Sequence, residues 1–403
     1  MITTDGLTKN MTGDIENLRI HFYGVQGSGS VFPVKKERDI IRQNSDLDLL
    51  EKVFYKLQDK ANTNNTLDSS VEEILRGPIN KESLIKFRDS LEPQEQPTFG
   101  GWTTCFRLET SDGYDIVIDC GSGFRLCAQD LDKKWGNKEQ RTLYILGTHA
   151  HFDHTEGFDQ SNVCFDPRNH IHFFANRSYL KAMDTHLGIF SHQSDRKDEG
   201  RPTPLNYEMM PASFEATEIR DIANDGANEN VMVSQYHDIG EPIKIGKTTI
   251  QPFSVFHPDP CLAYRIEHNG KVFVFCTDHE LRRGDDPDFP LQLESLEAEQ
   301  RLIDHAMNAD VLYRDGQFLR DEYDGKIPLG GTQGVARKDW GHSCVEDIVD
   351  MAKKANIKRT YIGHHDPNRS WSHLMQIDRD LAAQSDRSEL YFELAKAETI
   401  IDL

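Results

Sequence analysis

The chain has 403 residues, of which 37% are hydrophobic and 28% charged, which is enough apolar content for a core inside a strongly solvated surface. No apolar run approaches the roughly 20 residues that a membrane helix needs, and the seven cysteines include no Cys-x-x-Cys pair, so we expect a soluble protein of the reducing cytoplasm. The formal net charge of −21 argues against long nucleic acid as a partner, because proteins that bind it present a basic face.

The N-terminal quarter of the chain divides into an arm, a strand and an insertion. Residues 1–17 are polar and lack the apolar stretch of a signal peptide, so we interpret them as a loose arm. Leu18–Gly24 is predicted to be the first strand of a domain that extends over residues 18–403. Residues 34–96 are charged and show helical periodicity, which predicts a helical insertion. This insertion is either a lid, a dimer contact or a substrate selector, or it merely decorates the surface.

Two sets of strands follow the insertion. Thr103–Asp119 is predicted to be a hairpin that turns at Ser111–Tyr114, and Arg141–Gly147 a buried strand. The second set begins after residue 230, and Asn269–Gly270 is a strong signal for a hairpin turn within it. A helix over 291–308 then leads to a further strand. Two strand–helix halves predict an α/β fold in which two sheets are sandwiched between helices, an αββα arrangement.

The most informative motif follows the strand Arg141–Gly147 directly. His149, His151, Asp153 and His154 lie within six residues in the pattern His-x-His-x-Asp-His. Imidazole and carboxylate groups are the ligands that suit zinc and its divalent neighbours. Two histidines at positions i and i+2 lie on different faces of a helix, whereas a loop that leaves a strand can bring both to one ion. The motif therefore predicts a metal centre, in which Asp153 and His154 are placed to hold a second ion.

This spacing resembles that of the metallo-β-lactamase superfamily, the αββα hydrolases with one or two metal ions, and the resemblance covers most of the chain. Asp119 looks like the family's early aspartate, which usually braces the histidine loop. His257, Asp278 and His364 look like the isolated histidine, the bridging carboxylate at a strand end and the last metal histidine. The resemblance implies ligands for two ions: His149, His151 and His257 for the first, Asp153, His154 and His364 for the second, and Asp278 as the bridge.

The resemblance also bears on the metal and on two neighbouring histidines. Zinc fits the implied ligands best, and manganese, iron, nickel or cobalt are the alternatives. Redox diiron chemistry is disfavoured, because such proteins of this fold usually carry Glu where His151 stands.

His279 and His365 directly follow implied ligands. Adjacent residues on a strand point to opposite faces, so we expect these two histidines to support the ligands from outside or to lie on the rim.

The segment Trp340–Glu346 narrows the resemblance further. It precedes a helical pattern, and Ser343 with Glu346 three residues later predicts a capping box. A helix start offers free N–H groups to a phosphate oxygen. A similar Gly-His-Ser/Thr element occurs in the phosphodiesterase branch, which includes ribonuclease Z and the phosphoribosyl cyclic phosphodiesterases. The resemblance implies that His342 binds the phosphate or protonates the leaving oxygen, and the pair Arg314–Asp315 and Arg337 are further candidates for phosphate contacts.

We therefore predict a phosphodiesterase that cleaves a small or cyclic, nucleotide-type phosphodiester with a water activated by two metal ions. Its catalytic residues would be Asp153, which steers the water, and His342. The alternative is an acyl hydrolase for thioesters, lactones or β-lactams on the same site. The His342–Ser343 element counts against it, because a neutral acyl substrate needs no phosphate cradle. A third hypothesis is a non-catalytic sensor. The resemblance to the phosphodiesterase branch also suggests a homodimer.

Overall fold

The computed structural model describes residues 15–29, 50, 53–54, 56–57, 67–89, 99–192, 205–222, 233, 235–284, 289–331 and 333–403. Most of the predicted arm over residues 1–17 therefore lies outside the described residues. Within the described ranges, each helix is too short or too polar to cross a lipid bilayer. All seven cysteines fall in these ranges and each is buried and unpaired, as expected for a chain without a disulfide framework.

Two β-sheets form the larger compact unit, which comprises Met1–Val31, Gly100–Arg369 and Asp378–Leu403. The strands of the first sheet, in chain order, are β1 (Leu18–Gly24), β2 (Cys105–Thr110), β3 (Asp115–Ile118), β4 (Arg141–Gly147), β5 (Asn169–Ala175), β6 (Ser213–Arg220) and β7 (Gln235–Asp238). Those of the second sheet are β8 (Ile243–Ile245), β9 (Thr248–Val255), β10 (Cys261–His268), β11 (Lys271–Cys276), β12 (Val311–Asp315), β13 (Arg359–Gly363) and β14 (Tyr391–Leu394). The last strand, β15 (Ile400–Asp402), returns to the first sheet and pairs with β1.

Each sheet has an antiparallel part and a parallel part. In the first sheet, β1 to β3 are antiparallel neighbours, whereas β3 to β7 run parallel. In the second sheet, β8 to β11 are antiparallel and β11 to β14 parallel. Parallel strands end at the same edge of a sheet, so the residues that follow β3 and β4, or β11 to β13, gather at one edge. The predicted first strand and both predicted hairpin turns are confirmed.

The helices of the described residues are α1 (Leu67–Leu75), α2 (Lys81–Asp89), α3 (Phe124–Trp135), α4 (Arg177–Leu187), α5 (Phe289–Ala306), α6 (Arg320–Tyr323), α7 (Val345–Lys354) and α8 (Trp371–Ser385). Within the larger compact unit, helices pack against both sheets. Leu131 of α3 and Tyr179 of α4 pack with Ile145 and Phe173 of the first sheet. On the second sheet, α5 contacts β9 and β11, and α7 contacts β13. The predicted αββα arrangement is confirmed.

The core between the sheets is rich in aromatic rings. Phe106 of the first sheet meets Phe275 of the second with ring centroids 5.0 Å apart, and Phe275 stacks on Tyr313 at the same distance. All three side chains are completely buried. Burial of one such ring contributes roughly 1.5–3 kcal/mol to stability. This aromatic layer therefore fixes the position of one sheet, with its strand ends, relative to the other.

A second compact unit comprises Phe32–Phe99 and Ser370–Ile377. Its described elements are α1, α2 and the first part of α8. Leu75 and Phe87 are buried in it, and Phe99 meets Trp371 edge-on with ring centroids 5.8 Å apart. The described part of segment 34–96 is helical, in line with the sequence pattern. Its bounds as an insertion, and its role, stay predictions.

Candidate metal centre

The His-x-His-x-Asp-His segment leaves β4 at the edge where the parallel strands end. Its last part, Phe152–His154, is one turn of 3₁₀ helix, closed by the N–H of His154 donating to the carbonyl of His151 at 3.1 Å. This turn follows an extended stretch, so the segment is not a regular helix and its side chains can converge. His151 and Phe152 are solvent-exposed, whereas His149 and His154 are fully buried. The turn thus presents ligand-type side chains both to the interior and to solvent.

The first cluster contains four side chains. The facing atoms of His149, His151, His257 and Asp278 all lie within 4.8 Å of one another. His149 Nε2 is 3.3 Å from Asp278 Oδ2, and His257 Nε2 is 3.3 Å from His151 Nδ1. Both sheets contribute to this cluster. His149 and His151 follow β4 of the first sheet, whereas His257 follows β9 and Asp278 follows β11 of the second. The structure therefore brings together the residues predicted for the first ion.

The second cluster contains the remaining predicted ligands. Asp153 Oδ2 lies 3.2 Å from His364 Nε2 and 3.5 Å from His154 Nε2. All three side chains are buried, and His364 follows β13. Its backbone φ of 57° is left-handed, a conformation that is uncommon for non-glycine residues.

Asp278 faces both clusters at once. Its Oδ2 is directed at His149, while its Oδ1 lies 3.1 Å from His364 Nε2 and 3.4 Å from His154 Nε2. One carboxylate oxygen for each cluster is the geometry that a bridging ligand requires. The arrangement agrees with the bridging role that the sequence implies for Asp278.

Contacts on the far side of each ring fix which nitrogen faces the cluster. His154 Nδ1 donates to Asp119 Oδ2 at 2.7 Å, and His257 Nδ1 donates to the Gly341 carbonyl at 3.0 Å. Asp119 also accepts from the backbone N–H and the hydroxyl of Thr148. Such outer hydrogen bonds set the tautomer of metal-binding imidazoles. Asp119 therefore has the bracing position that the sequence indicates, and it too has a left-handed φ, of 59°.

The donor set fits divalent metal ions. Within the described part of the chain, Nε2 of His149 and Nε2 of His154 are buried and make no hydrogen bond. Buried polar atoms without partners are rare, and here they face carboxylate oxygens. In the metal-free chain, burial lowers the pKa of His149 to about 4 and that of His257 to about 3. Both rings are thus neutral near pH 7, which is the form that binds a metal ion.

His342 lies against this double cluster. Its Nδ1 donates to Asp315 Oδ2 at 3.1 Å and is 3.8 Å from Asp278 Oδ2. Its ring stacks on that of His364 with centroids 4.8 Å apart. Burial acts to lower the pKa of His342, but the charge and hydrogen bond of Asp315, together with the charges of Asp278 and Asp153, outweigh burial and raise the pKa to about 9 in the metal-free chain. The arrangement places a protonated imidazole at the edge of the candidate metal centre.

The model of the beta-lactamase superfamily domain matches residues 114–365, more than half of the chain. The chain belongs to the metallo-β-lactamase superfamily. This membership confirms the prediction of a metal-dependent hydrolase. No curated protein matches the sequence of the chain.

Several solved structures resemble the fold of this superfamily member. The Zn²⁺-bound PqqB of Methylobacterium extorquens has a TM-score of 0.51 at 11% identity, covering 96% of this chain and 100% of its own. A diphosphatase of the PhnP family has a TM-score of 0.48 at 14% identity, covering 96% of this chain and 98% of its own. The short form of human tRNase Z, ELAC1, has a TM-score of 0.46 at 13% identity, covering 95% and 98%. At such identities, the likeness to PqqB supports the fold alone.

The predicted capping box in this metallo-β-lactamase-fold protein is wrong. Helix α7 begins at Val345, and Cys344, which has no capping side chain, precedes it. The Ser343 hydroxyl donates instead to the carbonyl of His279, and the Glu346 carboxylate accepts the backbone N–H of Arg320. Ser343 therefore anchors the segment that carries His342 to the end of β11, because a tertiary partner competes better for the hydroxyl than the helix start does.

The prediction that Arg314 contacts phosphate is also wrong. Its side chain is completely buried and donates two hydrogen bonds to Glu299, at 3.0 and 2.6 Å. A guanidinium committed to a buried carboxylate cannot reach substrate without leaving that charge unpaired. Arg337 packs its guanidinium over the ring of Trp340, 4.2 Å from the centroid, and its role in phosphate binding stays a prediction.

His279 and His365 contribute no atom to either cluster. His279 Nε2 donates to Glu299 Oε2 at 2.9 Å, and His365 Nε2 donates to the carbonyl of Ala395 at 2.8 Å. Both rings are fully or almost fully buried. They support the strand ends that carry Asp278 and His364, as the alternation of side chains along a strand indicates.

Sequence reasoning missed two loop contacts that shape the centre. The N–H of Ser28 donates to Asp153 Oδ2 at 2.8 Å, and a Cβ on Gly27 would lie 2.6 Å from His364 Nδ1. Glu280, which is completely buried, accepts the backbone N–H groups of Asp339 and Gly341. The glycines of the loop after β1 were a usable signal for a close approach, whereas nothing local marks Glu280.

We expect Gly341→Ala to weaken metal binding by about tenfold or more, roughly 1.4 kcal/mol. The new Cβ would fall 2.1 Å from His257 Nδ1, so the ring must move away from the cluster. Equilibrium dialysis with metal analysis measures this change. Gly113→Ala is the matched control, because Gly113 has a similar φ of 91°, against 85° for Gly341, but open space around its Cβ position. Equal metal affinity in the two variants would contradict the expectation.

Proposed function

We propose that the protein is a phosphodiesterase that cleaves a small or cyclic, nucleotide-type phosphodiester. The observation that carries this proposal is the pairing of His342 with Asp315 at the edge of the double cluster, at 3.1 Å. Because Nδ1 is occupied by the carboxylate, Nε2 is the atom left to act on a substrate. An imidazolium there suits the developing charge on a leaving oxygen or on a phosphoryl oxygen.

We propose two divalent ions, zinc in preference to manganese, iron, nickel or cobalt, since an imidazole and carboxylate set suits all of them. The ligands would be those named above: His149, His151 and His257 for one ion, Asp153, His154 and His364 for the other, and Asp278 for both. When bound, a pair of such ions supplies a lowered pKa for an attacking water and positive charge for the phosphoryl oxygens.

The chain's own residues would then orient the reactants. Asp153, fixed by the N–H of Ser28, would accept a hydrogen bond from the attacking water and align it with phosphorus. His342 would give the proton on its Nε2 to the leaving oxygen, while Asp315 holds the ring and stabilises its charge. Both steps need only groups that are already within the double cluster or in contact with it.

A cavity of about 610 Å³ beside His257 supports a small substrate. Arg282 and Arg301 line it together with acidic residues that include Glu280 and Glu294. Volumes of about 300–1,000 Å³ are typical of small-molecule sites. The acidic net charge of the chain favours the same conclusion over long nucleic acid. The seven unpaired cysteines support the further proposal of a cytoplasmic location.

The test is a substrate comparison with the metal-loaded protein. We expect metal-dependent hydrolysis of bis(p-nitrophenyl) phosphate, and turnover of a chromogenic β-lactam, lactone or thioester at least about a hundredfold lower, or roughly 2.7 kcal/mol in transition-state binding. Chelation should abolish the diester activity, and readdition of metal should restore it. Preference for an acyl substrate would overturn the proposal in favour of an acyl hydrolase on the same site. Tight nucleotide binding without turnover of any ester would favour a sensor.

A further inference from the structure

A second group of ligand-type side chains lies on the first sheet, away from the candidate metal centre. His170 and His172 are two apart on β5, so their side chains share a face. Glu215 of β6 is the direct partner of His172 in the register of the two parallel strands. On the other side, His172 pairs with Tyr144 of β4. Tyr144 lies three residues before Gly147, the end of β4, and the His-x-His-x-Asp-His segment comes after that end. At about 3.3 Å per residue this places the group roughly 10 Å or more from the centre.

The three side chains converge on one point. His170 Nε2 is 3.2 Å and His172 Nδ1 3.7 Å from the same oxygen, Glu215 Oε2, and all three atoms lie within 4.8 Å of one another. Ligand atoms about 2.0–2.2 Å from a tetrahedral ion are about 3.4 Å apart. Two of the separations lie within a few tenths of an ångström of that edge. The group can therefore close on a divalent ion with little movement.

A hydroxyl group lies beside the ring nitrogen of His170, and of His172, that points away from Glu215. The Ser213 hydroxyl lies 2.9 Å from His170 Nδ1 and 3.4 Å from the carbonyl of Asn169, so it can donate to this carbonyl while it accepts the N–H of Nδ1. A hydroxyl has one hydrogen to donate. His170 Nε2 then carries a lone pair, and this lone pair faces a carboxylate oxygen.

His172 repeats this arrangement on the next pair of strands. The Thr217 hydroxyl lies 2.8 Å from His172 Nε2 and 3.4 Å from Gln235 Oε1, so it can donate to Gln235 while it accepts the N–H of Nε2. Gln235 Nε2 donates to Glu215 Oε1 at 2.7 Å and leaves Oε2 for the two rings. Outer hydrogen bonds on every ligand are the usual surroundings of a metal site.

We propose that His170, His172 and Glu215 form a further divalent-cation site, separate from the candidate metal centre, that takes Zn²⁺ or a similar borderline ion. Their three ligand atoms converge within 4.8 Å of one another, and two imidazoles with one carboxylate are a zinc-type donor set. His170 is 41% and Glu215 33% exposed in their side chains, so an ion can enter from solvent and complete its coordination with water. An ion there would tie β5 to β6.

The ring of His172 is held in place from its other side. It stacks on Phe174 with centroids 4.3 Å apart and an angle of 19° between the planes. This contact limits rotation of the ring, so less freedom is lost when an ion binds. Binding of an ion to the folded chain alone adds stability in proportion to the logarithm of its concentration over Kd.

Stoichiometry tests this proposal independently of any hydrolysis. Protein loaded at the candidate metal centre and dialysed free of excess metal is titrated with Zn²⁺ by calorimetry. We expect one further equivalent for the parent protein and for the control His237→Gln, whose half-buried imidazole on β7 forms a hydrogen bond with the carbonyl of Glu241 and lies outside the group. In His170→Gln and Glu215→Gln the affinity for this equivalent should fall at least about tenfold, or 1.4 kcal/mol. Far-ultraviolet circular dichroism verifies that each variant is folded.

The Asp278→Ala variant separates the two kinds of site. Since Asp278 belongs only to the candidate metal centre, the variant should keep the equivalent that depends on His170 and Glu215. Failure of the parent protein to bind Zn²⁺ beyond the centre would overturn the proposal. Unchanged binding in His170→Gln and Glu215→Gln would do the same, because the ion would then sit elsewhere on the surface.

Discussion

Asp278→Ala should abolish phosphodiester hydrolysis and remove at least one of the two proposed metal ions. The reason is that its carboxylate directs one oxygen at His149 and the other at His364, at 3.3 and 3.1 Å. Alanine removes the negative charge that both clusters share, which leaves the first with histidines alone and the second with Asp153 as its one carboxylate, so both should bind cations less strongly. We expect turnover to fall about a thousandfold or more, roughly 4 kcal/mol or above. Metal analysis and hydrolysis of bis(p-nitrophenyl) phosphate on the same sample measure both effects.

Asp310→Ala is a control for general effects of removing a carboxylate near a strand end. Asp310 precedes β12, at the opposite end of the strand from Asp315. Its carboxylate accepts hydrogen bonds from the N–H of Val272 and from the ammonium group of Lys358. It should lower stability slightly while leaving the metal content intact. An Asp278→Ala protein that retains both ions and its activity would remove the bridging role from the proposed mechanism.

His342→Ala should lower turnover about 10²- to 10⁴-fold, the range of a positioned general acid, with nearly unchanged metal content. The ring contacts His364 and Asp315 but belongs to neither set of proposed ligands for the double centre. The size of the loss should depend on the leaving group. An alkoxide needs a proton to depart, whereas p-nitrophenolate leaves readily without one. Diesters with a poor leaving group should therefore suffer more than bis(p-nitrophenyl) phosphate.

The pH profile gives a second readout for His342. The acid must be protonated, so turnover should decline as pH rises through the pKa of His342, and this limb should vanish in His342→Ala. That pKa is raised to about 9 in the metal-free chain by Asp315, and bound cations would lower it, so the limb should lie below pH 9. Loss of metal from the variant, or an equal loss on both kinds of diester, would show that His342 is not the acid.

The residues that form the two clusters could be identified in the sequence because their signals are local. His149, His151, Asp153 and His154 stand in one short segment, and Asp278 and His364 directly follow apolar strands. Parallel strands that end at one edge bring such residues together regardless of the loops between them. The two-sheet arrangement was predictable for a similar reason, since strand and helix periodicities are written along the chain.

The contacts between distant segments could not be predicted. In the sequence, Arg314 suggests a phosphate ligand, but its partner Glu299 comes from helix α5, which contacts β9 and β11 of the same sheet. Ser343 has the spacing of a helix cap, yet its hydroxyl donates to the carbonyl of His279, which is 64 residues away in the chain. The pairing of His172 with Glu215 depends on the register between β5 and β6, which are joined by a long connection. Such partners are chosen by packing, which a single sequence does not display.

Both clusters draw their atoms from the two sheets, which has a consequence for folding. His151 and His257, whose nitrogens are 3.3 Å apart, are separated by 106 residues in the chain, and Asp153 and His364 by 211. An ion bound there acts as a clasp that holds the halves of the sandwich together, and an unfolded chain offers no such preformed site. Metal affinity is therefore in part folding free energy. We therefore expect metal depletion to remove the activity and also to lower the free energy of unfolding of the chain.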